Sequence, residues 1–328
     1  MGKRDIVVIG ASAGGIYALR ELVAALPADF PASLFVVQHV SADSPSRLPE
    51  ILNYAGKLKA IHPTDGESIQ QGYIYIAPPD HHLLLEHDHV LVRNGPKENR
   101  FRPSIDTLFR SAAYRYGPRV IGVILTGALD DGTSGMWSVK RLGGVSVIQE
   151  PQEAMYPSMP ENVRQHVEVD YTVPLADMAS LLGNLVQEET GERPVLSSDE
   201  ETRMSREVNV TKKDNGLELG LVEVGQLTPF TCPECHGTLV RIQEGQLLRY
   251  RCHTGHGFTT EALLSGVKQT LEDALWNAIR ALEEMMMLLE QVEKPVEVSD
   301  LEPIEAYQTK LQQARNQLNQ LRSLVVTE

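Results

Sequence analysis

The chain of 328 residues is long enough for one sizeable domain with appendages, or for two domains. Its formal net charge of −14 argues against a general nucleic-acid-binding protein, and no apolar run is long enough to insert into a membrane. The three cysteines all lie late in the chain, which favours a metal site in a reducing, cytoplasmic compartment over disulfide bonds.

The first predicted element is a short buried strand that runs through a glycine-bracketed serine into a helix. Four β-branched apolar residues at 6–9 predict the strand, and apolar residues at helical spacing over 16–26 predict the helix. The pattern Gly10-x-Ser12-x-Gly14 matches a nucleophile elbow, where a serine hydroxyl projects beside free helical N–H groups that suit an oxyanion. A phosphate-binding turn or a plain turn is the alternative.

The second predicted strand, 33–37, leads directly to His39. A histidine just past the C-terminal end of a parallel strand lies where α/β enzymes place their sites, although structural histidines are also common there. Further strands are predicted at 58–61 and 72–77, followed by a hairpin over 82–92. Four histidines in this region indicate a polar surface, because no cysteine or tight carboxylate set accompanies them. They are His81, His82, His87 and His89.

A helix is predicted to start in the segment 102–110, with Pro103 in its first turn and Ser104 as its N-cap. The strand 120–125 then enters a glycine-rich loop that contains Asp130 and Asp131, and another strand follows at 145–148. An aspartate in such a loop would by default cap a helix or shape a turn. It could also orient a catalytic histidine.

Three strand ends therefore deliver Ser12, His39 and Asp131 to one edge of the predicted sheet. Their order along the chain differs from the Ser, Asp, His order of α/β-hydrolases, which argues against an ordinary member of that fold. The fold class that we expect is α/β, with a mostly parallel sheet. A small Cys/His zinc module and a C-terminal helical hairpin are expected to follow it.

Seven short segments, taken together, resemble the catalytic domain of the chemotaxis protein-glutamate methylesterase (CheB) family over about residues 4–187. They are IGASAGG (9–15), VQH (37–39), YIAP (75–78), RPSID (102–106), LTG (125–127), DG (131–132) and SMP (158–160). The resemblance implies an α/β fold with a doubly wound, mostly parallel sheet in three layers. It also implies a catalytic triad of Ser12, His39 and Asp131 that needs no cofactor. It also implies hydrolysis of glutamyl methyl esters on methylated chemoreceptors, sometimes with deamidation of receptor glutamines.

Three departures from the family pattern leave alternatives open. Ala13 follows the serine where the family usually has threonine, and Ala128 and Leu129 stand where it usually has methionine and glycine. The family enzyme also usually carries a phosphorylatable receiver domain ahead of the catalytic domain, and we expect this chain to lack it. A receptor glutamine deamidase and a catalytically weak signalling scaffold are therefore the alternatives to an esterase.

Changes in residue composition along the chain predict four regions. They are a catalytic domain over 1–187, a polar linker over 188–228, a zinc-ribbon-like module over 229–262 and a helical hairpin over 263–328. The module contains a Cys-x-x-Cys turn followed by Cys-x-x-x-His, which is the spacing of a structural zinc site. The predicted ligands are Cys232, Cys235, Cys252 and His256, with His236 and His253 as alternatives for the fourth. We expect metal removal to unfold the module and to spare hydrolysis.

The last region is predicted to form two helices joined by a proline-containing turn. Apolar residues follow the alternating three-four spacing of a coiled-coil seam in both helices. The first seam is Leu264, Val267, Leu271, Ala274, Ala278, Ala281, Met285, Leu288 and Val292, and the second is Ile304, Tyr307, Leu311, Ala314, Leu318, Leu321 and Val325. The helices are expected to close on each other as an antiparallel hairpin or to form a homodimer.

Overall fold

The structure is a computed structural model that describes residues 2–43, 45–213, 220, 223, 225–292 and 304–325. Its centre is a seven-stranded sheet in the order β3-β4-β2-β1-β7-β8-β9, in which every neighbouring pair runs parallel. The strands β5 and β6 form a separate antiparallel hairpin, as predicted. The bounds are β1 Ile6–Ala11, β2 Ser33–Gln38, β3 Lys59–Ile61, β4 Tyr73–Ile76, β5 His82–Glu86, β6 His89–Arg93, β7 Val120–Ile124, β8 Val145–Gln149 and β9 Tyr171–Val173.

Helices cover both faces of the parallel sheet, which confirms the predicted doubly wound α/β architecture in three layers. One face packs against α1, α2 and α6, and the other against α3, α4, α5 and the β5–β6 hairpin. The bounds are α1 Gly15–Ala25, α2 Leu48–Ala55, α3 Ile105–Tyr116, α4 Thr133–Arg141, α5 Ser158–His166 and α6 Leu175–Leu185. The central strands are buried on both faces, which explains their continuous apolar runs.

Part of the segment predicted to be a linker is instead a helix, α7 Ser198–Lys213. Met204 and Val208 are buried on it, and so is the charged residue Glu207, which is 1% exposed. The prediction failed because it was based on polar composition. In the structure, the carboxylate of Glu207 is neutralised by Arg249 and Arg251, two arginines that lie far away in the sequence.

A four-stranded antiparallel sheet follows, in the order β10-β11-β12-β13, and we call it the Cys/His module. Its strands are β10 Gln226–Thr231, β11 Thr238–Glu244, β12 Leu247–Cys252 and β13 Gly257–Thr259. The two strands between the cysteine turns are β11 and β12. A small apolar cluster that includes Leu239, Tyr250 and Phe258 forms the core of the module.

The helices α8 Thr260–Val292 and α9 Ile304–Val325 make up most of a second structural unit, Leu264–Glu328. Ion pairs join Arg315 to Glu290 and Arg322 to Glu283, so the two helices run antiparallel within this unit. No described helix of the chain is both long and apolar enough to cross a membrane.

The predicted seam is correct for α9 and wrong by one residue for α8. Leu311, Ala314 and Leu318 are buried on α9 as expected. On α8 the described residues of the predicted seam are mostly exposed, and the side chains with less exposure are Leu275, Ile279, Leu282, Met286 and Leu289. The α8 sequence carries two adjacent apolar stripes with the same spacing, and the stripe richer in large side chains is the buried one. Dimerisation stays a prediction.

The buried imidazole of His82 makes the stability of the fold depend on pH. Burial lowers the pKa of His82 from its ordinary value of 6.5 to about 4. The neutral ring donates from Nε2 to Pro96 O at 3.0 Å and accepts at Nδ1 from Ser104 N–H at 3.2 Å. Between about pH 6.5 and pH 4 the unfolded chain therefore binds more protons than the folded one, and the free energy of unfolding falls as the pH falls.

We expect this histidine to lower the free energy of unfolding by about 2 kcal/mol between about pH 7.5 and about pH 5. The substitution His82→Gln removes the titrating group, so that part of the pH dependence should disappear in urea titrations. His89→Gln, the same change at an exposed position of β6, is the control and should leave the dependence as it is. A His82→Gln variant with the wild-type dependence would show that the assignment is wrong.

Candidate active site and metal site

The carboxyl ends of three neighbouring strands, β2, β1 and β7, build the candidate active site. Ser12 follows β1 and donates its backbone N–H to Thr126 O at 3.1 Å, just past the end of β7. His39 follows β2 and donates its backbone N–H to Ala11 O at 3.1 Å. These hydrogen bonds continue the parallel pairing beyond the strands and bring the first two predicted site residues side by side.

The three side chains predicted to form a triad lie in series, each within hydrogen-bonding distance of the next. Ser12 Oγ lies 3.1 Å from His39 Nδ1, and His39 Nε2 lies 2.9 Å from Asp131 Oδ2. The side chains of His39 and Asp131 are 6% and 0% exposed. The carboxylate requires a proton on Nε2, so Nδ1 presents its lone pair to the serine hydroxyl and can accept the Oγ proton.

Asp131 is surrounded by hydrogen-bond donors. Its Oδ1 accepts from Ser104 Oγ at 2.9 Å and from Asn99 Nδ2 at 2.8 Å, and its Oδ2 accepts from Ile105 N–H at 2.7 Å. Burial by itself would raise the pKa of Asp131, but these donors and His39 outweigh it and hold the pKa below its ordinary value of 3.8. The carboxylate therefore stays charged while fully buried.

The neighbouring Asp130 has a different environment. Burial raises the pKa of Asp130 to about 6, and its side chain is hydrogen-bonded to Thr259. Among the described residues, the hydrogen bonds to the imidazole ring of His39 involve Ser12 and Asp131, and none joins Asp130 to this ring. Of the two aspartates, the structure thus brings Asp131 to the histidine.

Four residues beside the triad were not predicted from the sequence to belong to the site. Gln38 Nε2 donates to Ser12 O at 2.8 Å and to His39 O at 3.0 Å, which ties the two turns together. Phe101 stacks on the His39 ring with centroids 3.8 Å apart. Asn99 donates to Asp131, and so does Ser104, whose hydroxyl makes no capping hydrogen bond to α3. Ser104 is the N-cap residue of α3, as predicted, but its hydroxyl donates to the carboxylate of Asp131.

The loop after β7 packs tightly against the serine turn. A Cβ atom at Gly127 would lie 2.9 Å from Ser12 Cβ and 2.0 Å from Met159 Sδ, so the backbone can approach only because this residue is glycine. Gly14 adopts a φ of +75° as the N-cap of α1. Within the described residues, the N–H groups of Ala13 and Gly14 have no hydrogen-bond partner. They are therefore free to bind an oxygen at the N-terminal end of α1.

Exposed apolar side chains border the serine turn. They are Ile16, Tyr17, Met155 and Tyr156, with exposures of 42%, 50%, 64% and 46%. We call them the apolar rim. The first two lie at the start of α1, and the other two lie in the loop whose Tyr156 O accepts Gly127 N–H at 2.9 Å. The rim gives the site an open, apolar border, which suits a protein surface better than a small polar molecule.

The candidate metal site is assembled by the two turns of the Cys/His module. The ligand atoms of Cys232, Cys235, Cys252 and His256 all lie within 4.8 Å of one another. The distances from Cys252 Sγ to Cys235 Sγ and to His256 Nδ1 are both 3.6 Å, close to the edge of about 3.8 Å that a tetrahedral zinc with bonds of about 2.3 Å requires. Among the described residues this is the one such cluster, and neither His236 nor His253 belongs to it.

Comparisons with known proteins match the same region of the chain. The CheB methylesterase family model matches residues 7–182. A protein of Leptospira interrogans, provisionally named a protein-glutamate methylesterase/protein-glutamine glutaminase, is 38% identical over 190 residues, which are 58% of this chain and 98% of that protein. A protein-glutamate methylesterase/protein-glutamine glutaminase of Methanosarcina mazei is 33% identical over 192 residues, 56% of this chain and 52% of that protein.

A solved structure agrees with these matches. The crystal structure of the Thermotoga maritima CheB methylesterase catalytic domain is similar to this chain with a TM-score of 0.54 and 35% sequence identity. The similarity covers 57% of this chain and 100% of that one. The chain spans only about half the length of the Methanosarcina relative. Since the family model covers more than half of the residues, the chain belongs to the CheB methylesterase family.

Proposed function

We propose that this protein is a serine esterase that hydrolyses glutamyl methyl esters on methylated chemoreceptors or related signalling proteins in the cytoplasm. The observation that carries the proposal is the contact series from Ser12 Oγ to His39 Nδ1 and from His39 Nε2 to Asp131 Oδ2. The names of the relatives support the choice of substrate. Adaptation of a chemotaxis-type signal is the process to which such a reaction belongs.

The reaction proceeds through a covalent acyl-enzyme. His39 accepts the Ser12 Oγ proton as the oxygen attacks the ester carbonyl, and then gives this proton to the leaving methanol. Asp131 holds the imidazole by its Nε2–H and stabilises the positive charge that the ring acquires. Water, activated by the same nitrogen of His39, then attacks the acyl group, and the products are the free carboxylate and the regenerated serine.

The negative charge on the carbonyl oxygen requires donors that are already in place. The free N–H groups of Ala13 and Gly14 supply them at the positive end of the α1 dipole. One such donor contributes roughly 3 kcal/mol to the stability of the transition state. Because these donors belong to the backbone, the alanine that replaces the usual threonine leaves them intact.

Two alternatives use the same scaffold. A glutamine deamidase would form the same acyl-enzyme and release ammonia in place of methanol, so a product assay on receptor fragments distinguishes it from an esterase. A catalytically weak scaffold is the second alternative, and it would lack a reactive serine. Labelling of Ser12 by a fluorophosphonate probe separates that alternative from both enzymes. The completed hydrogen-bond series of the triad favours an enzyme.

We also propose that the Cys/His cluster holds one structural zinc ion. Three thiolates and one imidazole are the donors that zinc prefers, and four protein ligands leave no open position for a substrate. Catalysis by the triad requires no metal.

The triad should behave as one unit in substitution experiments. Ser12→Ala should abolish fluorophosphonate labelling and lower methanol release from methylated receptor fragments by several orders of magnitude. His39→Gln should be nearly as damaging, because the serine then has no base. Asp131→Asn should cost up to about 10⁴-fold, since an amide favours the wrong tautomer of the histidine. The losses should not add in double variants.

Asp130→Asn is the matched control for this series, because it makes the same change one residue away and does not contact His39. It should cost little. Wild-type hydrolysis by Ser12→Ala would refute the triad. A severe loss in Asp130→Asn with a mild loss in Asp131→Asn would show that the acid of the triad is Asp130 and not Asp131.

The apolar rim should bind the receptor and contribute little to the chemistry. Met155→Ser removes the most exposed of its four side chains, so the KM for a methylated receptor fragment should rise about 10-fold through lost apolar burial. The rate of fluorophosphonate labelling should stay unchanged. Met287→Ser, at a methionine that is 60% exposed on α8, is the control and should leave both quantities unaltered. An unchanged KM in Met155→Ser would exclude the rim from receptor binding.

The metal content of the purified protein should be about one zinc per chain, as for other structural sites of this type. His256→Gln should lower the zinc content measured by mass spectrometry, because it removes the fourth ligand. His253→Gln, a nearby histidine outside the cluster, should keep the zinc. Loss of zinc in His253→Gln with retention in His256→Gln would reverse our assignment of the fourth ligand.

A further inference from the structure

The Cys/His module is bonded directly to the segment that carries Asn99. The side-chain Oδ1 of Asn99 accepts Thr259 N–H at 2.9 Å, and its backbone N–H donates to Gly257 O at 2.8 Å. Gly257 N–H in turn donates to Lys97 O at 3.2 Å, so β13 pairs backbone to backbone with this segment. Thr259 N–H can only donate, which fixes the orientation of the Asn99 amide and turns its NH₂ group the other way.

The NH₂ group of Asn99 points at the catalytic domain and bridges two buried carboxylates. Nδ2 lies 2.8 Å from Asp131 Oδ1 and 2.8 Å from Asp106 Oδ2. Burial, together with the nearby charges of Asp131 and Glu98, raises the pKa of Asp106 well above its ordinary value. A single side chain, 1% exposed, therefore joins β13 of the module to the carboxylate that orients His39.

The turn that carries Asn99 also contacts His39. The residues 98–101, which we call the 98–101 turn, are closed by hydrogen bonds between Glu98 and Phe101 in both directions. Phe101 stacks on the His39 ring with an interplanar angle of 10°. The turn therefore contacts two of the three triad residues: Phe101 stacks on the ring of His39, and the Asn99 amide donates a hydrogen bond to the carboxylate of Asp131.

A buried ion cluster fixes the turn to the module. Its members are Glu98, Arg110, Glu207, Glu244, Arg249 and Arg251, all at most 3% exposed. Glu98 pairs with Arg110 of α3 at 2.7 Å, with Arg251 of β12 at 3.0 Å, and also with Arg249 of β12. With three charges of each sign the cluster is neutral, and separating the module would leave buried charges without partners.

The metal site lies at the beginning of β13. Cys252 is the last residue of β12, and His256 immediately precedes Gly257, the first residue of β13. Cys252 N–H donates to His256 O at 3.0 Å across this turn. A metal ion bound by both residues, and by the two cysteines of the other turn, fixes the position from which β13 reaches Asn99.

We propose that the Cys/His module completes the active site, with Asn99 acting as a positioning residue that transmits the position of β13 to Asp131. This inference rests on the proposed esterase function. It also replaces the expectation from the sequence that metal removal spares hydrolysis: loss of the metal releases β13, and Asn99 then loses the partners that orient its amide. Asp131 keeps its other donors, so the reaction slows and does not stop.

The first test measures how fast a fluorophosphonate probe labels Ser12 over a range of probe concentrations, using the full chain. Asn99→Gly removes the amide while preserving the backbone, because Asn99 has a φ of +52° that glycine adopts without strain. We expect the labelling rate at saturating probe to fall about 10-fold or more, the size expected for one hydrogen bond to a charged group. The concentration for half-saturation and the final labelled fraction should stay as in the wild type.

The final labelled fraction separates positioning from damage to the fold, because unfolded molecules lower the labelled fraction and leave the rate of the others unchanged. Asn53→Gly is the control. It removes an asparagine that makes two hydrogen bonds to the backbone of Ala60, away from the site, and should leave the saturating rate unchanged. A wild-type saturating rate in Asn99→Gly overturns the inference, whereas a wild-type protein that is not labelled at Ser12 overturns the proposed function.

The second test combines this variant with removal of the metal by dipicolinate. In the wild-type protein, metal removal should lower the saturating rate by a factor similar to that of Asn99→Gly. In Asn99→Gly it should cause little further loss, since both changes break the same connection. Losses that multiply independently, or a wild-type rate that does not respond to metal removal, overturn the role of the metal. If urea titrations show that the metal-free chain is already unfolded without urea, the labelling rate of Asn99→Gly alone decides the inference.

Discussion

The candidate active site depends on one constraint, a charged carboxylate that must remain ionised where water cannot reach it. An isolated buried charge costs many kcal/mol, so Asp131 can serve only if protein donors replace its hydration shell. Those donors come from the first residues of α3, from Asn99 and from His39 itself. These donors belong to three separate segments, and the carboxylate therefore holds its hydrogen bonds only if all three segments are correctly positioned.

The buried ion cluster imposes the same requirement on a larger scale. Arg249 and Arg251 project from β12 of the module, Arg110 from α3 and Glu207 from α7. Burial would raise the pKa of Glu98, but Arg110 and the two arginines of β12 hold it well below its ordinary value of 4.5. Buried charges are therefore part of what joins the module to the catalytic domain, and the polar sequence of the module conceals that connection.

The site was predictable from the sequence where local rules apply, and not where distant partners decide. Ser12, His39 and Asp131 could be placed together because parallel strands deliver their carboxyl ends to one edge of a sheet. Asn99 could not, because it lies in a loop and its partner Thr259 is 160 residues away. The α7 segment resembled a linker for a similar reason, because Glu207 is neutralised by arginines that lie far away in the sequence.

On α8, hydrophobic periodicity did not distinguish between two adjacent apolar stripes of equal spacing. Side-chain size decided in favour of the stripe that includes Ile279 and Leu282. A pattern of polar and apolar positions carries no information on side-chain volume, although the packing of two helices depends on that volume.

The 160-residue separation between Asn99 and Thr259 also has a consequence for how the protein is made. A ribosome synthesises the whole parallel sheet, with the serine and the histidine already in place, well before it reaches β13. Until the last strand of the module emerges and pairs, the 98–101 turn lacks its outer partners. A nascent or truncated chain would therefore carry a formed sheet and an unfinished catalytic centre, so that the proposed esterase reaches its full rate only once the module has folded.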